Sequence, residues 1–180
     1  MQPNSFVPLF LALFIFLTGK LGAQKTTSPL IAVQEKTTQA ELIFEGRFIA
    51  SKAFKSNHGI NTCNYYLVSR EFKGEFHSDT IRIITDGGTI DGETESVSET
   101  TGIPGEGIFF CNSMSAGYYN FGSGSIYYPI NGGSISYFHG HIRCGNEIYK
   151  DLQKDVYAPI EQFVGQKCKQ LRQNSLEQGK

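Results

Sequence analysis

His139-Gly140-His141 is the pattern in this chain whose residue types and spacing most directly suggest chemistry. On an extended strand alternate side chains project to one side, so two imidazoles one residue apart would face together and could begin a metal site. A third ligand is needed, and His58, His77 or a carboxylate could supply it only if the fold brings one near. A site of that kind would make the chain a small secreted metal-dependent hydrolase. The plainer reading is two surface or partly buried histidines beside Tyr137, because a lone H-x-H carries little specificity.

The acidic run holding Asp86, Asp91, Glu93 and Glu95 offers hard oxygen ligands among glycines. Its spacing does not match the calcium loop of an EF-hand, so a solvated loop is the simpler reading. Two of these carboxylates could in principle flank a glycosidic bond, but sequence alone places no cleft between them. Serine and cysteine nucleophiles lack context: no G-x-S-x-G elbow is present, and no cysteine carries a protease signature. Gly122-Ser123-Gly124 lacks the third glycine of a dinucleotide loop, and no phosphate-binding G-x-x-x-x-G-K occurs. No catalytic residue and no cofactor follow from these patterns. Tyrosine offers a large apolar body with a polar tip, so Tyr118, Tyr119, Tyr127 and Tyr128 suit a binding surface as well as they suit a core.

The elements that must position these residues begin after an export signal. Phe6 to Leu17 is almost wholly apolar but, at about 1.5 Å per residue, rises only about 18 Å, short of a hydrocarbon core of about 30 Å. Leu21-Gly22-Ala23 before Gln24 suits a signal peptidase, which makes residues 1–23 the signal peptide and Gln24 the mature start. The expected location is secreted or cell envelope, with no transmembrane segment after signal removal. What remains is 180 − 23 = 157 residues, enough for one domain with its own core. Loss of Lys20 leaves 15 basic against 17 acidic residues, interspersed, so bulk charge attracts neither nucleic acid nor an anionic membrane.

Cys63, Cys111, Cys144 and Cys168 are an even number in an exported chain, which permits disulfides in three connectivities. The alternative is that some are simply buried small apolar residues. The spacing holds no C-x-x-C pair and thus no zinc ribbon or thioredoxin-type motif.

Ser28-Pro29 predicts a short helix, with Leu30, Val33 and Ala40 as its apolar stripe. Glu41 to Ser51 alternates with period two, placing Leu42, Phe44, Phe48 and Ala50 on one side and Glu41, Glu45, Arg47 and Ser51 on the other. Further strands are predicted at Asn61 to Phe72, Thr80 to Thr85, and Gly105 to Cys111, the last apolar on both faces and therefore central. Gly87 to Gly102 reads as a long loop or weak edge strand. From Ser113 to Ser136 the glycine and tyrosine content predicts short strands joined by tight turns, one of them at Asn131-Gly132-Gly133, and Ile135 to Arg143 a further strand. Ile160, Phe163, Val164, Cys168 and Leu171 share a face at helical spacing behind Pro159, predicting a carboxy-terminal helix. Residues 24–173 then form the domain, and 174–180 a polar, frayed tail.

The phrases Leu42 to Ser51 (LIFEGRFIAS), Phe72-Lys73-Gly74, Ser78 to Thr85 (SDTIRIIT) and Gly105 to Phe110 (GEGIFF) resemble the amino-terminal β-domain of bacterial surface proteins exported by the type IX secretion pathway. That domain is similar to the netrin and tissue-inhibitor-of-metalloproteinase modules. The likeness covers about Pro29 to Asn112, and it implies a mainly β fold: a five-stranded OB-like barrel, here with a Gly/Tyr-rich β extension and flanking amino- and carboxy-terminal helices. The animal inhibitors chelate the protease zinc with an amino-terminal cysteine, whereas the mature start here is Gln24, so that mechanism is not implied. The related surface proteins end in a sorting domain, which this chain does not show. The resulting expectation is an exported, non-enzymatic binding or interaction module, with a protein or glycan at the cell surface as its partner and nucleic acid not among its ligands.

Overall fold

A computed structural model of the chain describes residues 29–96, 104–114, 125–144 and 147–178. The signal peptide, Tyr118, Tyr119 and Gly122-Ser123-Gly124 lie outside these residues. The described elements open with α1 (Pro29–Gln39), β1 (Leu42–Ser56), β2 (Gly59–Lys73) and β3 (Thr80–Asp86). A small hairpin, β4 (Gly88–Ile90) and β5 (Glu93–Glu95), precedes β6 (Glu106–Ser113), β7 (Tyr127–Phe138), β8 (His141–Cys144) and β9 (Glu147–Tyr149). A π-helical turn at Gln153–Tyr157 leads into α2 (Ala158–Val164), then β10 (Lys169–Gln170) and a last turn, α3 (Ser175–Gln178).

Five strands close into a barrel. β1 pairs with β2 and β6, β2 with β3, β6 with β7, and a single parallel bridge, Ile83 to Tyr127, joins β3 to β7. The expected mainly β, OB-like barrel is therefore present, and β6 lies between β1 and β7 with Gly107 to Cys111 all buried. Among the described residues no helix is long and apolar enough to cross a membrane.

The barrel interior takes side chains from each of its five strands: Leu42 and Phe44, Tyr66 and Val68, Ile81 and Ile83, Phe109 and Cys111, and Tyr127. Phe44 stacks on Phe109 at 5.0 Å, and Tyr66 tilts against Phe109 at 4.4 Å. Each such pair adds about 0.5 to 1.5 kcal/mol beyond burial. A second core lies between the outer face of the sheet and the helices, where Ile43, Phe72, Ile108, Phe110 and Ile135 meet Val33, Val156, Tyr157 and Ile160. In α1 the buried positions Val33 and Thr37 follow helical spacing, with Ala40 buried just past its end, whereas Leu30 is exposed.

Three expectations are corrected. Ala50 does not continue the core side of β1, because a register shift between Phe48 and Ala50 breaks the alternation; Phe48 still faces Tyr66 of the barrel interior, but at the open end of the barrel, where it is exposed. Asn131-Gly132-Gly133 does not turn a hairpin: β7 runs through it with a bulge, since the step from Phe109 to Cys111 on β6 answers the step from Ser134 to Pro129 on β7. Gly133 is required there, as an added Cβ would lie 2.4 Å from the Ile130 carbonyl and 2.7 Å from that of Phe110. The carboxy-terminal helix ends at Val164, because Gly165 takes a left-handed φ of 79° and its N–H caps the Glu161 carbonyl. Cys168 and Leu171 consequently lie beyond the helix, on either side of β10.

Candidate functional site

The inward face of the barrel changes character along β2 and β3. Tyr66 and Ile83 belong to the apolar interior, but the positions that continue the same faces toward the chain reversals are Asn64, Thr62 and Thr85. Beyond them the β4 to β5 hairpin arches over the opening, and the result is an open cleft of about 620 Å³ at the barrel mouth. Asn64 Nδ2 donates to Thr85 Oγ1 at 3.1 Å, and Thr62 Oγ1 donates to the Gly87 carbonyl at 2.7 Å. Across the hairpin the hydroxyls of Thr89 and Thr94 pair at 3.0 Å.

Phe48 stands at the rim, 42 % exposed, held edge-on against Tyr66 with ring centroids 5.9 Å apart. Its own N–H donates to the Gly105 carbonyl at 2.6 Å, and Tyr66 Oη donates to the Pro104 carbonyl at 3.1 Å, so the Phe48 backbone and the Tyr66 ring are both tied to the segment that leads into β6. Burial pushes the Tyr66 phenol well above its ordinary range, which keeps it a neutral donor. Asp86 and Glu95 are the charged residues among those lining the cleft. Glu95 Oε2 accepts the Ile60 N–H at 2.7 Å and thereby ties the hairpin to the β1 to β2 ribbon; Lys55 and Glu93 pair at 2.6 Å on its exposed side. The acidic run is thus a hairpin with its turn at Asp91, where φ is 51°.

The other predicted positions are dispersed. His139 occupies the β7 to β8 turn with φ of 48° and His141 begins β8, so the two do not sit as alternate residues of one strand. His58 lies in the β1 to β2 turn, and His77, 3.8 Å from Glu75, in the connection before β3. Among the described residues no group of three or more His, Cys, Asp or Glu side chains is gathered as a metal site. Tyr127 is buried in the barrel and bridges to β3, while Tyr128 points outward at 39 % exposure.

The four cysteines are unpaired, which corrects the disulfide expectation. They face different surroundings: Cys111 is inside the barrel, and Cys63 lies in a separate cluster with Ile84 and Ile126. Cys144 is beside Tyr149, and Cys168 accepts from Arg70 Nη1 at 3.8 Å while its N–H donates to Glu161. Burial pushes all four thiols up, away from the reactive thiolate.

A polar centre that the sequence pattern did not reveal lies between barrel and helices. Glu45 is fully buried and accepts from Ser69 Oγ at 3.2 Å, Arg70 Nε at 3.2 Å, Tyr157 Oη at 2.5 Å, Asn174 Nδ2 at 2.7 Å, and from Tyr137 Oη. The Arg70 guanidinium lies 4.6 Å over the Tyr157 ring and donates to Glu177 Oε1 at 2.7 Å. Burial works against the Arg70 charge, but Tyr157, Cys168, Glu45 and Glu177 more than offset it and raise its pKa. Burial and the neighbouring Glu45 carboxylate likewise hold both tyrosines far above the ordinary phenol range. Substrate has no access to a carboxylate so enclosed, and the centre acts as a clasp. Residues 174–178 are accordingly not frayed: Asn174 is 1 % exposed.

Comparison with known proteins finds no matching family model, no similar curated protein and no similar solved structure.

Proposed function

We propose that this chain is an exported, non-enzymatic binding module of the cell envelope, built on a barrel of the netrin and tissue-inhibitor kind, and that the barrel mouth holds its cell-surface ligand. The observation that carries the reading is the cleft itself: an exposed aromatic ring, Phe48, set beside a floor of hydroxyl and amide side chains. Mouths of β-barrels are recurrent ligand sites, and a few convergent polar groups beside an aromatic wall are what such sites share. The two buried cores and the Glu45 clasp hold that floor on rigid strands, and the stretch that would mark export precedes the described residues.

A Thr94→Trp variant tests this. Thr94 is exposed on the hairpin and lines the cleft, so the indole fills the mouth without entering either core. Binding of the purified protein to envelope preparations of the producing cell should fall at least about tenfold with an unchanged Tm, a loss of about 1.4 kcal/mol. Equal binding by the blocked variant would remove the mouth as the binding site.

A further inference from the structure

We infer that the ligand taken at the barrel mouth is a neutral saccharide, packed by its apolar ring face on Phe48; this rests on the mouth being the binding site. Three features select that class. First, Phe48 presents an exposed ring held by the edge contact to Tyr66 at 5.9 Å, on backbone tied by its N–H bond to Gly105, so a flat apolar face can settle on it at reduced ordering cost.

Second, the floor is made of groups that match hydroxyls. Asp86 and Glu95 are carboxylates with several acceptor sites each, and the hydroxyls of Thr62, Thr85, Thr89 and Thr94 and the amide of Asn64, held in place by the bonds they make to the protein, present further oxygen acceptors. Vicinal sugar hydroxyls present donors and acceptors at similar spacing. The cleft is also wide and open, as suits an elongated polar chain lying across it rather than a small apolar ligand sealed within.

Third, the charge is wrong for the other polymer that stacks on aromatic rings. No Lys, Arg or His is among the described residues lining the cleft, and its two charged side chains are carboxylates. Single-stranded nucleic acid needs a positively charged groove to follow its phosphates. The same argument disfavours sulfated and uronic-acid glycans, which leaves neutral sugars.

The test is calorimetric titration of the full exported protein with neutral hexasaccharides (cello-, chito-, malto- and xylohexaose), a heparin hexasaccharide and a ten-nucleotide oligothymidylate. At least one neutral hexasaccharide should bind. Phe48→Ala should weaken it by about tenfold or more, while Tyr128→Ala, exposed on β7, changes it by less than about twofold. Preferred binding of the heparin fragment or the oligonucleotide overturns the inference, as does neutral-sugar binding indifferent to Phe48→Ala. If no neutral sugar binds while Thr94→Trp still abolishes envelope binding, the saccharide assignment fails and the mouth stands as a site for another class, such as a protein. If Thr94→Trp leaves envelope binding intact, the underlying reading fails instead.

Discussion

Glu45 on β1 and Arg70 on β2 form a cross-strand ion pair at 3.2 Å with side chains 0 % and 7 % exposed. Two charges removed this far from water are stable only when their remaining hydrogen-bonding capacity is filled. Here Tyr137, Tyr157, Asn174 and Ser69 complete the carboxylate, and Glu177 with the Tyr157 ring completes the guanidinium. The pair therefore locks five separated parts of the chain together: β1, β2, β7, the π-helical turn and the last residues.

Removing the carboxylate strands every one of these donors. Glu45→Ala should cost about 3 to 5 kcal/mol, the range for breaking a buried pair by deleting one partner. Urea unfolding of the purified protein measures it. A loss below about 1 kcal/mol, the worth of an exposed pair, would show that the centre is hydrated and does not act as a clasp.

Deleting residues 174–180 removes the Asn174 bonds to Glu45 and Tyr157 and the Glu177 bond to Arg70. The expected cost is about 2 to 4 kcal/mol, from several charge-assisted bonds lost at a buried site. Asn174→Ala should reproduce about 1 to 2 kcal/mol of it. A truncated protein as stable as the full chain would contradict the docking of this segment.

Stability toward acid should depend on Glu161. Burial raises its pKa, but Lys167 at 2.5 Å and the Cys168 N–H at 3.1 Å outweigh burial and bring it below the ordinary value of 4.5. A depressed folded-state value means stability present above pH 4.5 and lost as pH falls through the lower folded-state value. Glu161→Gln should be less stable than wild type at neutral pH, with the gap closing below pH 4.5. A gap independent of pH would mean the interaction is steric.

Much of this architecture is legible in the sequence, and the misreadings share a cause. The period-two run in β1 and the doubly apolar β6 mark their strands because both are long enough for the pattern to repeat. Glu45, however, shares a face with Arg47, which the alternation assigns to solvent. Periodicity tells which residues share a face; it cannot tell that helices later cover half of that face. Ala50 errs the other way, since the bulge between Phe48 and Ala50 reverses the side it takes and leaves no mark in the alternation. Asn-Gly-Gly serves a bulge as readily as a hairpin, and what decides between them is the pairing of both Ser134 and Pro129 with the same strand, β6. The cleft did leave a trace: Thr62, Asn64 and Thr85 stand at inward positions where apolar residues would be expected, a polar end to an apolar stripe.

The central claim, that the barrel mouth is the binding site, is tested most directly by amide NMR of the isotope-labelled protein titrated with solubilised envelope glycans of the producing cell. Shift changes should cluster at Phe48, Asn64, Thr85 and Thr94 and vanish in Thr94→Trp. Changes confined to the His139 turn or to Tyr128, with the mouth residues unmoved, would contradict the account.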